Sequence, residues 1–267
     1  SLKNAKSSAS GLTGLFGKVG SAASTVGKGI FTVATNVAKV SVAATTAGAA
    51  AVSTLTGLAI NSYADYEQLV GGVETLYKTS ADKVRQYAAD AYKTAGLSAN
   101  EYMNTATTFA AALVSSLGGD TEQAAELANT AISDMSDNAN KMGTNISSIQ
   151  DAYNGFAKQN YTMLDNLKLG YGGTKTEMER LIDDANKLNA AQGKATNYTI
   201  DSYADVVSAI HDVQNAMGIT GTTAKEASTT IQGSINATKS AWSNLVTGIA
   251  DDNANFEQLI SNFVDSA

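Results

Sequence analysis

The chain has 267 residues, with 18 basic and 25 acidic side chains, one histidine, no cysteine and no proline. Without cysteine there are no disulfide staples or thiolate metal sites, and without proline long helices are permitted almost everywhere, since chains average about 5% proline. Charge is uneven: residues 1–64 hold five lysines and no acid, leaving 13 basic and 25 acidic groups in residues 65–267, a surplus that repels nucleic-acid phosphates and argues against specific nucleic-acid binding.

Apolar residues make up 43% of the chain but aromatics only 7%, and much of the apolar share is alanine. Small side chains suit thin helical bundles or rods better than a thick core. Residues 1–29 are rich in Gly, Ser and Lys, with Leu12, Leu15, Phe16 and Val19 on one side, and read as a weak amphipathic helix or an arm. Lys3 and Lys6 are followed by Gly and Ser rather than by a compact apolar core, so no secretory signal is expected, and Ser1 suggests a processed chain or a fragment. Residues 40–62 carry no charge and are long enough to cross a bilayer. Their larger apolar residues are Val40, Val42, Val52, Leu55, Leu58 and Ile60, set among Ala, Thr, Ser and Gly, which makes insertion marginal. Two readings stand: a helix packed through small residues against copies of itself, and a conditional membrane-active segment. Residues 1–62 form the first expected region.

The second region, 63–190, has sharper periodicity. Tyr66, Leu69, Val73, Leu76 or Tyr77, Val84, Tyr87 and Ala91 make one stripe near the 3.5-residue repeat, closed by Gly96. Ser98-Ala99-Asn100-Glu101 is a capping box for a helix with Met103, Ala106, Phe109 or Ala110, Leu113 and Leu117 inward, ended by Gly118-Gly119. Asp120 caps the next helix, through Ala124, Leu127, Ala131, Met135 and Met142. The stretch Ile132–Leu181 then turns at Gly170-Tyr171-Gly172-Gly173 before a second capping box, Thr174 to Glu177. A polar linker is expected over 189–199. In the last region, 191–267, Tyr203, Val206, Ile210, Val213 and Met217 define a helix ending at Gly218. A third capping box, Thr223 to Glu226, is expected to start a long helix through Ile231, Ile235, Trp242, Leu245 and Ile249, and a short helix carries Phe256, Leu259, Ile260 and Phe263. No alternating strand pattern competes, so the chain reads as all-α: an elongated multi-helix chain forming a bundle or coiled-coil-like assembly of several copies.

For chemistry the sequence offers little. His211 is the only histidine, which leaves no Ser-His-Asp, Cys-His or two-histidine arrangement, and it reads as a structural residue. The carboxylate pairs Asp134/Asp137 and Asp183/Asp184 sit on what look like exposed helix faces, without the apolar pocket that raises the pKa of a catalytic acid. Asp134, Asp137, Asn138 and Asn140 miss the calcium-loop spacing, and the Gly170–Gly173 turn lacks a phosphate-loop lysine. No enzyme activity, metal or cofactor is expected. Asn138, Asn140, Tyr161, Asn166 and Tyr171 are the expected contacts between chains or with a larger assembly.

The motifs Tyr66–Leu76, Ala95–Met103, Asp134–Gly143, Gly155–Met178, Ala209–Gln214 and Gly218–Ala227 resemble the tail tape measure proteins of tailed bacteriophages and prophages, over about residues 60–250. The resemblance implies a mostly helical virion protein threaded through the tail-tube lumen, in copies of itself taken to be a trimer. It would set tail length during assembly and leave ahead of the DNA at infection. Its partners would be tail-tube and tail-tip or baseplate proteins and, on release, the host membrane through residues 40–62. Competing readings are a membrane-active pore-former or toxin, and a peptidoglycan hydrolase. A gene lying between tail-tube and tail-tip genes favours the tape; zymography decides the hydrolase.

Overall fold

In a computed structural model of the chain, the described residues are 49–227, 231–251 and 253–266, with side chains described from Leu58 onward except over 231–234. Val40 and Val42 lie outside the described residues, as do the side chains of Val52 and Leu55. The described residues form helices and turns with no strand: α1 Ala49–Tyr77, a 3-10 turn Lys78–Ser80, α2 Ala81–Thr94, α3 Ala99–Ser116, α4 Thr121–Met142, α5 Ile146–Phe156, a 3-10 turn Leu164–Leu167, α6 Lys175–Ala191, α7 Tyr203–Ala216, α8 Thr222–Ala227, α9 Ile231–Ile249 and α10 Phe256–Ser266. The all-α expectation holds over these residues.

Most boundaries follow local chemistry. Ser98 accepts from the Glu101 N–H while Glu101 accepts from the Ser98 N–H at 2.8 Å, so two otherwise orphaned donors at the start of α3 are satisfied. Asp120 accepts from the Glu122 and Gln123 N–H groups at 3.0 Å and opens α4. Gly96, Gly118, Gly143 and Gly218 adopt φ of 64°, 65°, 63° and 66°, the left-handed conformation that ends a helix without a Cβ penalty.

The expected single stripe from Tyr66 to Ala91 is broken. Lys78 takes φ 49° and opens a 3-10 turn, so α1 and α2 are separate helices. The turn is accommodated because Val73 and Tyr77 on one side, and Val84, Ala88 and Ala91 on the other, each find a local core. The 189–199 stretch is no open linker either: α6 runs to Ala191, and Asn186 grips the following loop, accepting from the Tyr198 N–H at 2.9 Å and donating to the Tyr198 carbonyl at 3.0 Å.

By its contacts the chain divides into residues 1–68 with 241–267, and residues 69–240. The second unit is built around α4, which touches α2, α3, α5, α7 and α8. Ala124, Ala125, Ala128 and Ala131 let neighbouring helices approach α4 closely. Around them lie Tyr77, Tyr92, Tyr102, Phe109, Tyr153 and Phe156, all fully buried. These six rings concentrate large apolar area in a chain otherwise short of it. Two buried phenols find backbone or amide partners: Tyr77 donates to the Ala106 carbonyl and Tyr102 to Asn129, both at 2.9 Å. In the other unit, Ala59, Leu245, Val246, Ile249, Ala250 and Phe256 form a small core flanked by Tyr63, Leu259, Ile260 and Phe263. Trp242, expected on an inner face, is 39% exposed and packs beside Phe263 with ring centres 5.4 Å apart.

Candidate functional site

The most unusual chemistry of the 69–240 unit lies on α4 between Asp134 and Asn138. Asp134, Asp137 and Asn138 follow one another at helical spacings of three and one, so their polarity reads as a solvent face. The structure corrects this: their exposures are 1%, 2% and 0%. Here α4 is covered on every side, with Ala131, Ile132, Met135 and Ser136 buried as well. A buried polar group costs free energy unless it is hydrogen-bonded, and these three groups bond to three different parts of the unit.

Asp134 meets His211 on α7. His211 Nδ1 lies 2.9 Å and 3.1 Å from the two carboxylate oxygens. Burial pushes the Asp134 pKa up, opposed by the bond from His211, and the same bond raises the pKa of His211 against its own desolvation. The pair is asymmetric: the Asp134 side chain is sealed, whereas that of His211 is one-third exposed. Next to it, Asn189 donates to Asp212 at 2.5 Å. Behind it, the Tyr153 hydroxyl lies beside the Gln214 amide without a well-formed hydrogen bond, both sealed from solvent, and burial holds the phenol well above its ordinary pKa. His211 thus gives a buried carboxylate its partner.

Asp137 reaches across to the start of α8, accepting from the Gly221 N–H at 2.6 Å and the Thr223 N–H at 2.7 Å. The expected capping box at Thr223 and Glu226 is therefore corrected. The helix begins at Thr222, Thr223 lies inside it, and the cap comes from a residue 86 positions earlier in the chain. The expected long helix is described over Thr222–Ala227 and again over Ile231–Ile249. Asn138 donates to the Leu167 carbonyl at 2.9 Å and fixes the second 3-10 turn against α4.

The residues expected to contact other chains are placed as follows. Asn138 is inaccessible in this fold, and Tyr161 is 5% exposed with its hydroxyl donating to the Ile200 carbonyl at 3.2 Å, so their described bonds are internal to the chain. Asn166 is half-buried: its carbonyl accepts from Thr144 and its amide donates to the Ser148 carbonyl. Tyr171 is half-buried under Arg180, whose guanidinium sits 4.3 Å from the ring centre, and its hydroxyl donates to Asp184 at 3.0 Å. Asn140 is exposed. The Gly170–Gly173 segment is a turn held by the first residues of α6: Arg180 donates to the Gly170 carbonyl and Glu177 accepts from the Gly172 N–H. Of the second carboxylate pair, Asp183 is exposed and Asp184 is bound to Tyr171.

Beside α4 lies a groove of about 350 Å³, walled by Leu97, Ser136, Ile146, Thr223 and Asn236 among others. No group of three His, Cys, Asp or Glu side chains able to hold a metal ion occurs among the described residues. Among them, too, no helix is long and apolar enough to cross a membrane. The chain matches no protein-family model, no curated protein and no solved structure.

The Asp134–His211 pair, the remote cap from Asp137 and the internal bond of Asn138 were all invisible to periodicity. The only signal available was the lone histidine, next to Ile210 on α7.

Proposed function

We propose that the chain is a helical part of a phage or prophage tail tape measure protein, with residues 69–240 as one compact unit of it. It would sit in the tail-tube lumen with other copies of itself, form a bundle or coiled-coil-like assembly near the tail tip, and leave ahead of the DNA. The carrying observation is where the tape-like motifs fall. They cover about residues 60–250, close to the compact unit 69–240, and they coincide with residues that build it. Ser98 and Glu101 cap α3, Asp134, Asp137 and Asn138 tie α4 to its neighbours, Gly155 and Gly173 permit close backbone approaches, and Gly218 and Gly221 form the turn into α8. A likeness carried by fold-making residues is a likeness of fold.

A straight helix lengthens by about 1.5 Å per residue, whereas helices folded back on one another contribute far less length per residue. This part therefore suits an end piece or plug of the tape better than the measuring rod. The acidic surplus of residues 65–267 would keep passing DNA from adhering. The test is immunological: antibodies raised against residues 69–240 should label one end of tails purified from the organism carrying the gene, and lose the signal after DNA ejection. Purified tails lacking the protein would sink the proposal.

A further inference from the structure

We propose that His211 is a reactive histidine, an acceptor site for small activated acyl groups such as thioesters and aryl esters. The inference does not depend on the tape reading; it rests on how one ring is held. Nδ1 lies 2.9 Å and 3.1 Å from the two oxygens of Asp134, a carboxylate only 1% exposed. A carboxylate beside Nδ1 keeps the proton of the neutral ring there and leaves the lone pair on Nε2. Nε2 makes no hydrogen bond to a described residue and is not sealed from solvent, in a side chain that is 33% exposed. One nitrogen pinned by a sealed carboxylate and the other open is the arrangement of a nucleophilic histidine.

The surrounding charges select the donor. Asp212 on α7 and Lys194 on the loop after α6 act on His211 with opposite signs, while Asp137 on α4 and the Tyr153 phenol on α5 interact with Asp134. A multiply charged phosphoryl donor would meet two carboxylates, Asp134 and Asp212, whereas a neutral acyl group meets no such repulsion. In the step, the Nε2 lone pair attacks the acyl carbon. The carbon–sulfur or carbon–oxygen bond breaks, and thiolate or phenolate departs with its electron pair. The acylated ring passes its Nδ1 proton to Asp134, whose burial favours the protonated form. Water then attacks the acyl carbon and gives the carboxylic acid; its second proton goes to solvent as Asp134 returns the first to Nδ1.

His211 is the only histidine, so labelling of the full chain reports on a single ring. Diethyl pyrocarbonate, followed by peptide mass mapping and hydroxylamine reversal, is expected to mark His211. Phenolate release from p-nitrophenyl acetate then gives the rate against pH. Referred to the neutral ring, the second-order rate at His211 should exceed that of free N-acetylhistidine by about tenfold, the gain from a more basic and oriented nitrogen. In Asp134→Asn the amide can donate to Nδ1 and move the ring proton to Nε2, so the rate should fall by about tenfold or more. The inflection of its pH profile should also move down, which a purely supporting Asp134 would not cause. If Asp134→Asn does not fold, the comparison of wild type with N-acetylhistidine decides alone. A wild-type rate no faster than N-acetylhistidine, acyl groups found on lysines but not on His211, or an unmoved pH profile overturns the proposal.

Discussion

The Asp134–His211 contact makes stability depend on pH in a defined direction. Both groups have raised native pKa values, so the native state binds more protons than the unfolded chain. For His211, with an ordinary pKa of about 6.5, the stabilisation is fully present below that value and is lost as pH rises through the elevated native one. The raised Asp134 value has the same sign, since burial of its carboxylate is least costly when a proton is held. Denaturant midpoints should therefore fall as pH is raised from about 6 to about 9, and His211→Gln should flatten that slope; a slope unchanged by the substitution refutes the assignment. At neutral pH, His211→Ala leaves a sealed carboxylate without its partner and should cost about 3–5 kcal/mol by urea unfolding. A second residue-scale effect concerns Gly173, where an added Cβ would run into the Thr162 carbonyl oxygen. Gly173→Ala should lower stability by about 1–3 kcal/mol, as overpacked sites do. A wild-type melting curve for that variant would show the turn to be freely adjustable.

At the scale of elements, the caps carry predictions of different size. Ser98→Ala leaves without its acceptor only the N–H of Glu101, an exposed residue, and should cost about 1 kcal/mol. Asn138→Leu removes the donor to the sealed Leu167 carbonyl and should cost about 1–3 kcal/mol, read in the same unfolding assay; equal costs for the two would mean that burial is not what separates them. The contrast also explains which elements were legible beforehand. The capping box at Ser98, the Asp120 cap and the glycine stops at 96, 118 and 218 depend on neighbours in sequence, so these boundaries could be read directly. Asp137, Asn138 and His211 take partners 29 to 86 positions away, and residue type cannot reveal these partners. The polar face of α4 misled for a related reason: covering a helix on all sides removes the apolar–polar alternation that burial on one side creates. Lys78 breaks the α1–α2 stripe although the periodicity continues through it, because tertiary packing overrides local helix preference.

At the scale of the whole molecule, the two units should unfold separately, and the chain carries a natural reporter for each. Trp242 is the only tryptophan and belongs to the unit made from residues 1–68 and 241–267. Tyr77, Tyr92, Tyr102 and Tyr153 are fully buried in the 69–240 unit, and near-ultraviolet tyrosine dichroism is expected to report on their packing. The described core around Leu245, Ile249 and Phe256 is small, and Leu58, Ile60 and Val264 remain exposed beside it at 54%, 41% and 64%. A core of that size supplies no more than about 3–5 kcal/mol, whereas 69–240 falls within the usual size of an independently folding domain. Trp242 fluorescence should therefore change at lower urea than the tyrosine dichroism, and a fragment of residues 69–240 should keep the later transition nearly unshifted. Coincident transitions in the full chain, with a fragment that melts without cooperativity, would show instead that the two units fold only as one.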